Sequence, residues 1–330
     1  MKLLIGLIFS LPLILPSFAI NAFTVEREEV KNFLEEMVDK HGFNSEELHY
    51  IFSKVDIQHS SVLEAISRPA EAMPWFKYRS IFLQPERIKL GVKFWQENFD
   101  ILQDVEKVYG VPPEIIVAII GVETRYGSNV GSFKIINSLS TLAFGYTKRN
   151  SFFTKELEHY LLLAREQNFD PLSLDGSYAG AIGIPQFMPS SYREYAVDYD
   201  NDKKIDIWSN TIDAIGSVGN YLKAHGWKRD ELITTVAEVK GDGYSQLLTD
   251  TMKPSFSIDQ FESHSVTGKV AIPENAKLKL LELETENGNI YWIGLNNFYV
   301  ITRYNHSVLY AMAVYQLASE IYLEYTNKTP

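Results

Sequence analysis

Apolar positions recur with helical spacing over most of the chain. Val30, Leu34 and Met37, with Phe33 beside them, fall on one side of a segment running from Glu26 to Lys40 and closed by Gly42. Asn44 followed by Glu47 has the form of a capping box ahead of Leu48 and Ile51. Residues 86–109 read as one further helix with a broad apolar side built from Ile88, Leu90, Val92, Phe94 and Trp95. Val111–Gly127 is almost wholly apolar; Pro113 suits a first helical position, Glu114 the first turn, and Gly127 the stop. Helices over Ser132–Leu142, Phe152–Gln167 and Thr211–His225 follow, the last closed by Gly226. Between 170 and 210 the sequence turns rich in Gly, Pro, Ser and Asp, a long structured loop of the kind that is usually functional.

From about residue 229 the period changes. Lys277–Glu284 alternates, Asn287-Gly288 supplies a hairpin turn, and Ile290–Leu295 returns, with Phe298–Thr302 read as a further strand. Ser307–Tyr325 resumes a helical period. The expected architecture is mainly α with a small β insertion. Residues 20–110 form an N-terminal helical subdomain, 111–228 the core, 229–300 the small β subdomain, and 301–330 a helix returning to the core.

Met1-Lys2, the apolar run Leu3–Leu15 and Ser17-Phe18-Ala19 have the order of a signal peptide cut near Ala19. That destination is extracytoplasmic, yet the sequence contains no cysteine. Disulfides are excluded, and so is a lipid-modified N-terminal cysteine. The formal net charge is −11, and Lys2 is the one charged residue in 1–19, so its loss leaves −12. An acidic chain without a basic stripe disfavours nucleic acid or anionic lipid as a partner. The seven histidines show no His-x-x-x-His or His-Glu-x-x-His pairing, and no Gly-x-Ser-x-Gly elbow occurs.

Three segments carry candidate chemistry. In Gly121–Gly127, Glu123 shares a helix face with Ile116, Ile119 and Ile120, where lost hydration and the helix C-terminus both favour the protonated acid. Taken alone, the segment fits equally a core glutamate satisfied by an arginine or one that reaches the surface. Ser177–Tyr192 gathers small residues that let a ligand approach the backbone, and Gln186 offers an amide suited to sugar hydroxyls or N-acetyl groups. A tight glycine turn packing helices together has the same composition. In Arg303–Ser307, Asn305 fits either a ligand contact or an N-cap for the last helix. A fourth feature, Asp198-x-Asp200-x-Asp202-x-x-x-Asp206, resembles the start of an EF-hand loop with Lys203 at the usual glycine position and Ser209 in place of the closing glutamate. An Asp/Asn turn capping a helix is the plainer account.

Taken in order, and with Ser138–Phe144, Lys148-Arg149, Phe152-Phe153, Asp213–Tyr221 and Lys223–Trp227, these segments resemble the lytic murein transglycosylase B family over roughly residues 25–325. The resemblance implies a lysozyme-like core in which Glu123 is the single catalytic acid/base. It also implies that Ser177, Gln186, Tyr221, Tyr304 and Asn305 line a saccharide groove, with Arg149 available to a carboxylate. The expected activity is cleavage of peptidoglycan after N-acetylmuramoyl residues with 1,6-anhydro ring closure. The acid loop would hold a structural Ca2+ through Asp198, Asp200, Asp202, Asp206 and Asp213, no cofactor being needed for the chemistry. The expected partners are glycan strands and other cell-wall enzymes in the periplasm. A non-catalytic murein-binding scaffold and a hydrolytic muramidase are the competing readings.

Overall fold

The computed structural model describes residues 25–67 and 72–328, so the leader assigned to 1–19 lies outside the described residues. Helices α1 (Glu28–His41) and α2 (Ser45–Phe52) form at the expected places. Gly42 ends α1 at φ 65°. The Asn44 side chain accepts the Glu47 N–H at 2.9 Å, the forward half of a capping box. Helix α3 (Ser60–Ile66) and α4 (Trp75–Phe82) follow. The helix expected over 86–109 is two: α5 (Pro85–Glu97) and α6 (Phe99–Tyr109). Asn98 makes the break. At φ −119° its backbone leaves the helical region, and its side-chain amide donates at 2.8 Å to the Phe94 carbonyl, which its own backbone N–H also reaches at 3.1 Å.

Helix α7 (Pro113–Thr124) is the centre of the molecule. Every residue from Ile115 to Gly121 is buried, so the helix is apolar all round rather than striped. It packs against α14 (Val308–Lys328) and α5, with α8 (Ile135–Gly145), α9 (Asn150–Glu166), α10 (Pro189–Tyr195) and α11 (Thr211–Ala224) completing the helical layers. Two-residue strands β1 (Phe133–Lys134) and β2 (Asp175–Gly176) pair antiparallel and tie the start of α8 to the 170–187 connection.

The β insertion is an antiparallel sheet of order β4-β3-β6-β5: β3 (Thr234–Val239), β4 (Val266–Gly268), β5 (Lys279–Thr285) and β6 (Gly288–Gly294), with α12 (Ile258–Ser263) packed beside β4. The β5–β6 turn falls on Glu286-Asn287, one residue earlier than the motif suggested, because Thr285 pairs Gly288. Leu247, Phe261, Val266, Leu278, Leu280 and Ile293 give this sheet an apolar core of its own. The N-terminal helices, by contrast, share one continuous core with α7 and α14.

Residues 298–302 are not a strand. They lie in helix α13 (Asn296–Tyr304), which buries Phe298, Val300, Ile301 and Thr302. Packing on α14 overrides the β-branched and aromatic composition that suggested the strand. No helix among the described residues is long and apolar enough to cross a membrane.

Candidate active site

Glu123 stands in the last turn of α7, half-buried beside the fully buried Thr124. The helix stops before the expected Gly127. Arg125, Tyr126 and Gly127 take φ 51°, 62° and 80°, three left-handed residues in a row. Such a run is costly for residues with a Cβ and persists where surrounding contacts hold it. Two contacts do so. The Tyr126 hydroxyl donates to the Arg87 carbonyl at 2.8 Å. Its ring lies so close to Gly91 and Gly121 that a Cβ on either would meet the hydroxyl oxygen at 2.6 Å. The Arg87 guanidinium in turn donates to the Gly121 carbonyl.

Thr124 joins this turn to the second segment. Its hydroxyl donates to the Ile184 carbonyl at 2.8 Å and accepts the Gly127 N–H at 3.0 Å. Around it residues 177–187 form two nested turns. Ser177 Oγ accepts the Ala181 N–H at 2.9 Å, which leaves its hydrogen to donate elsewhere. Ile182 and Phe187 exchange backbone hydrogen bonds, closing a turn with Gly183 at φ 69° and Gln186 at φ 53°. Gly183 is required: a Cβ there would stand 2.3 Å from the Ile207 carbonyl oxygen. The Gln186 amide donates to the carbonyls of Val130 at 3.1 Å and Gly183 at 2.9 Å. Both its hydrogens are committed, so toward a ligand Gln186 acts through its oxygen alone, not as the donor and acceptor its composition suggested.

The third wall comes from the α13–α14 corner. Asn305 ends α13 in extended backbone, and the position before the next helix is Ser307. Ser307 caps that helix, its Oγ accepting the Tyr310 N–H at 3.2 Å. One turn into α14, the Tyr310 hydroxyl donates to Glu123 Oε1 at 2.6 Å. Tyr310 is 2% exposed. Its ring is nearly parallel to that of Tyr304, 8° apart with centroids at 6.3 Å, and the Tyr304 hydroxyl donates to the Pro185 carbonyl at 2.5 Å. Tyr221 meets the Tyr304 ring edge-on at 4.9 Å and donates its hydroxyl to the Arg303 carbonyl at 2.5 Å. His225 stacks on Tyr221 at 4.0 Å, and burial holds its imidazole below the usual range.

Burial pushes the Tyr304 and Tyr310 phenols far above their ordinary value, and the charge of Glu123 pushes both further. Both therefore stay protonated donors across the physiological range. Glu123, Tyr304, Tyr310, Tyr221 and the 177–187 turns thus form one hydrogen-bonded and stacked assembly. Arg149 stands outside it. Its exposed guanidinium packs over Phe152 at 4.4 Å and Phe153 at 5.5 Å, and none of these contacts reaches the Glu123 assembly. Tyr310 is the side chain of this assembly that sequence reasoning missed.

In the acidic loop, one carboxylate oxygen from each of Asp198, Asp200 and Asp202 lies within 4.8 Å of the others, a hard-oxygen set that fits a cation such as Ca2+. Lys203 takes φ 75°, the left-handed conformation that the glycine of an EF-hand supplies at this place. Asp198, Asp200 and Asp202 also accept the N–H groups of Asp202, Lys203 and Lys204, and Asp213 and Asp206 accept further backbone donors. Asp213 is fully buried and accepts the Tyr199 and Asp206 N–H groups at 2.8 Å each, drawing the two ends of the loop together. Burial raises its carboxyl, these two donors oppose that, and Asp200 and Asp198 add their repulsion. Asp206 accepts the N–H groups of Trp208 and Ser209, both at 2.9 Å.

Comparison with known proteins shows the family. The transglycosylase SLT domain matches residues 25–319. Membrane-bound lytic murein transglycosylase B of Escherichia coli (strain K12) is 43% identical over 303 residues, covering 89% of this chain and 82% of that protein. The crystal structure of soluble lytic transglycosylase SltB1 from Pseudomonas aeruginosa matches with a TM-score of 0.83 at 49% identity, over 89% of this chain and 98% of that one. Escherichia coli Slt35, solved in complex with calcium, matches with a TM-score of 0.83 at 42% identity, over 91% and 95%. With a family match spanning most of its length and relatives this close, the chain belongs to the lytic transglycosylases of the SLT domain family.

Proposed function

We propose that the protein cleaves the bond between N-acetylmuramoyl and N-acetylglucosaminyl residues of peptidoglycan, leaving 1,6-anhydromuramoyl ends, with Glu123 as the one acid/base. The observation that carries this reading is the Tyr310 hydroxyl bound to Glu123 Oε1 at 2.6 Å. It acts together with a sequence fact: none of the three walls, 123–127, 177–187 and 304–310, supplies a carboxylate besides Glu123. Hydrolases that retain or invert the anomeric centre use two carboxylates, about 5–10 Å apart. With one, the nucleophile has to come from the substrate.

Protonated Glu123 gives its proton to the glycosidic oxygen as the C1–O bond breaks, with the muramoyl N-acetyl group assisting departure. The carboxylate so formed accepts a charge-assisted hydrogen bond from Tyr310, stronger than the one the neutral acid accepted. Tyr310 therefore stabilises the state after proton transfer more than the state before it, which is what acceleration requires. Glu123 then takes the proton of the muramoyl 6-hydroxyl as that oxygen closes on C1. In the groove, Ser177 offers a donor and Gln186 an acceptor, while Tyr221, Tyr304 and Asn305 shape the wall beside them. Arg149 serves a carboxylate of the peptide or sugar.

The same reading has Asp198, Asp200 and Asp202 hold a structural Ca2+, with Asp206 and Asp213 shaping the loop. It also has the leader at 1–19 deliver the chain to the periplasm. The deciding experiment is product analysis in heavy-oxygen water. New ends should be anhydromuramoyl and unlabelled; labelled reducing muramic acid ends would make the enzyme a hydrolase.

A further inference from the structure

The 167–187 connection that forms the groove wall also borders a second cavity at its other end. A space of about 690 Å3 opens between the α1–α2 turn and the end of α9, a volume in the range of small-ligand sites. Its lining includes Phe43, Asn44, Glu47, Tyr50, Arg165 and Asn168. The Arg165 guanidinium lies over the Phe43 ring at 4.3 Å and is held by one hydrogen bond to the His41 carbonyl at 2.7 Å. Its other N–H groups have no protein partner among the described residues. Neither have the Glu47 carboxylate and the Asn168 side-chain amide, and Arg165 and Glu47 do not pair with each other. Tyr50 is 63% exposed at the rim.

Glu47, Tyr50, Arg165 and Asn168 are all exposed to solvent, with Phe43 half-buried under the guanidinium. The lining offers a fixed guanidinium fork for a carboxylate, a carboxylate for an amino group, an amide for peptide groups and a phenol face. An oligosaccharide without charge would leave both ionic groups unanswered. Leu172 on the cavity rim and Ser177 in the groove are five residues apart in the chain, so their Cα atoms are separated by at most about 18 Å. We infer that this cavity binds a zwitterionic peptide, the stem peptide of peptidoglycan, near but outside the cleavage groove. That identity of the ligand rests on the transglycosylase reading.

The test uses a free stem peptide containing a diamino acid and no sugar, titrated calorimetrically into the full chain. It has no glycosidic bond, so its binding does not depend on catalysis. Asn168→Gly suits the left-handed φ of 54° at that position, and Tyr50→Ala and Glu47→Gln change exposed side chains. The expected result is saturable binding to the wild type, weakened about tenfold by Glu47→Gln and lost in the Tyr50→Ala/Asn168→Gly double variant. Production of anhydro ends from a small soluble fragment should be the same in every variant. Peptide binding unchanged in all three would overturn the inference, as would no saturation of the wild type at millimolar peptide. A loss of N-acetylglucosamine oligomer binding in place of peptide binding would make the cavity a sugar site and overturn it equally. Absence of anhydro ends from the wild type would sink the transglycosylase reading while leaving the peptide titration to stand on its own.

Discussion

At the scale of single residues, two side chains separate the chemistry from its support. Glu123→Gln keeps shape and removes the transferable proton, so turnover should fall by about 10²–10⁴-fold while glycan binding persists. A variant retaining a tenth of wild-type turnover would place the acid elsewhere. Tyr310→Phe keeps the ring against Tyr304 and removes only the hydroxyl on Glu123. A hydrogen bond to a charged group contributes about 1.5–3 kcal/mol, so kcat should drop about 10- to 100-fold with KM and the unfolding midpoint nearly unchanged. Equal loss in KM and kcat would instead assign Tyr310 to substrate binding. Glu123 was legible in the sequence because a lone acid at the end of an apolar helix is a local pattern. Tyr310 was not, because its significance lies in a contact 187 residues away along the chain. Gln186 was legible as a site residue, but its acceptor-only role depends on the positions of the Val130 and Gly183 carbonyls.

At the scale of elements, the sequence predicted helices well wherever a cap and a stripe agreed, as at α1 and α11. It misjudged the break at Asn98, where one side chain competes with the helix, and α13, where packing decides. Five aspartates were read as one ligand set; the folded chain brings carboxylate oxygens of Asp198, Asp200 and Asp202 together and has all five accept backbone N–H groups of the loop. Asp213→Ala would strand the half-buried Tyr199 and Asp206 N–H groups, each at a cost of about 1–3 kcal/mol. Chemical denaturation should show a loss of about 2–6 kcal/mol, and the calcium response should vanish with it. In the wild type, about 1 mM Ca2+ over a site of about 0.1 mM should stabilise by roughly 1.4 kcal/mol. Identical unfolding midpoints in calcium and in chelator would remove the metal from the account.

Across the whole molecule, tyrosine hydroxyls do what disulfides do elsewhere. Tyr126, Tyr160, Tyr192, Tyr221 and Tyr304 each donate to a backbone carbonyl of another segment, those of Arg87, Pro171, Ile205, Arg303 and Pro185. Burial raises all five phenols above their ordinary value. A raised folded-state value means that the native chain holds protons the unfolded chain has released. Stability is then complete below about pH 10 and lost as pH rises beyond it. Denaturation midpoints should be level between about pH 8 and 9 and fall steeply above 10, with phenolate absorbance rising in step with unfolding. A phenolate titration finished before any loss of structure would contradict this.

The contact between Glu123 and Tyr310 also imposes an order in time. A chain made from its N-terminus exposes α7 long before α14 exists, and domains fold as their residues emerge. Through most of synthesis the acid has neither its hydroxyl partner nor the third wall of its groove. On the proposed reading the site is therefore completed only at the last helix, and a chain interrupted before residue 308 holds Glu123 without Tyr310 and the wall it belongs to.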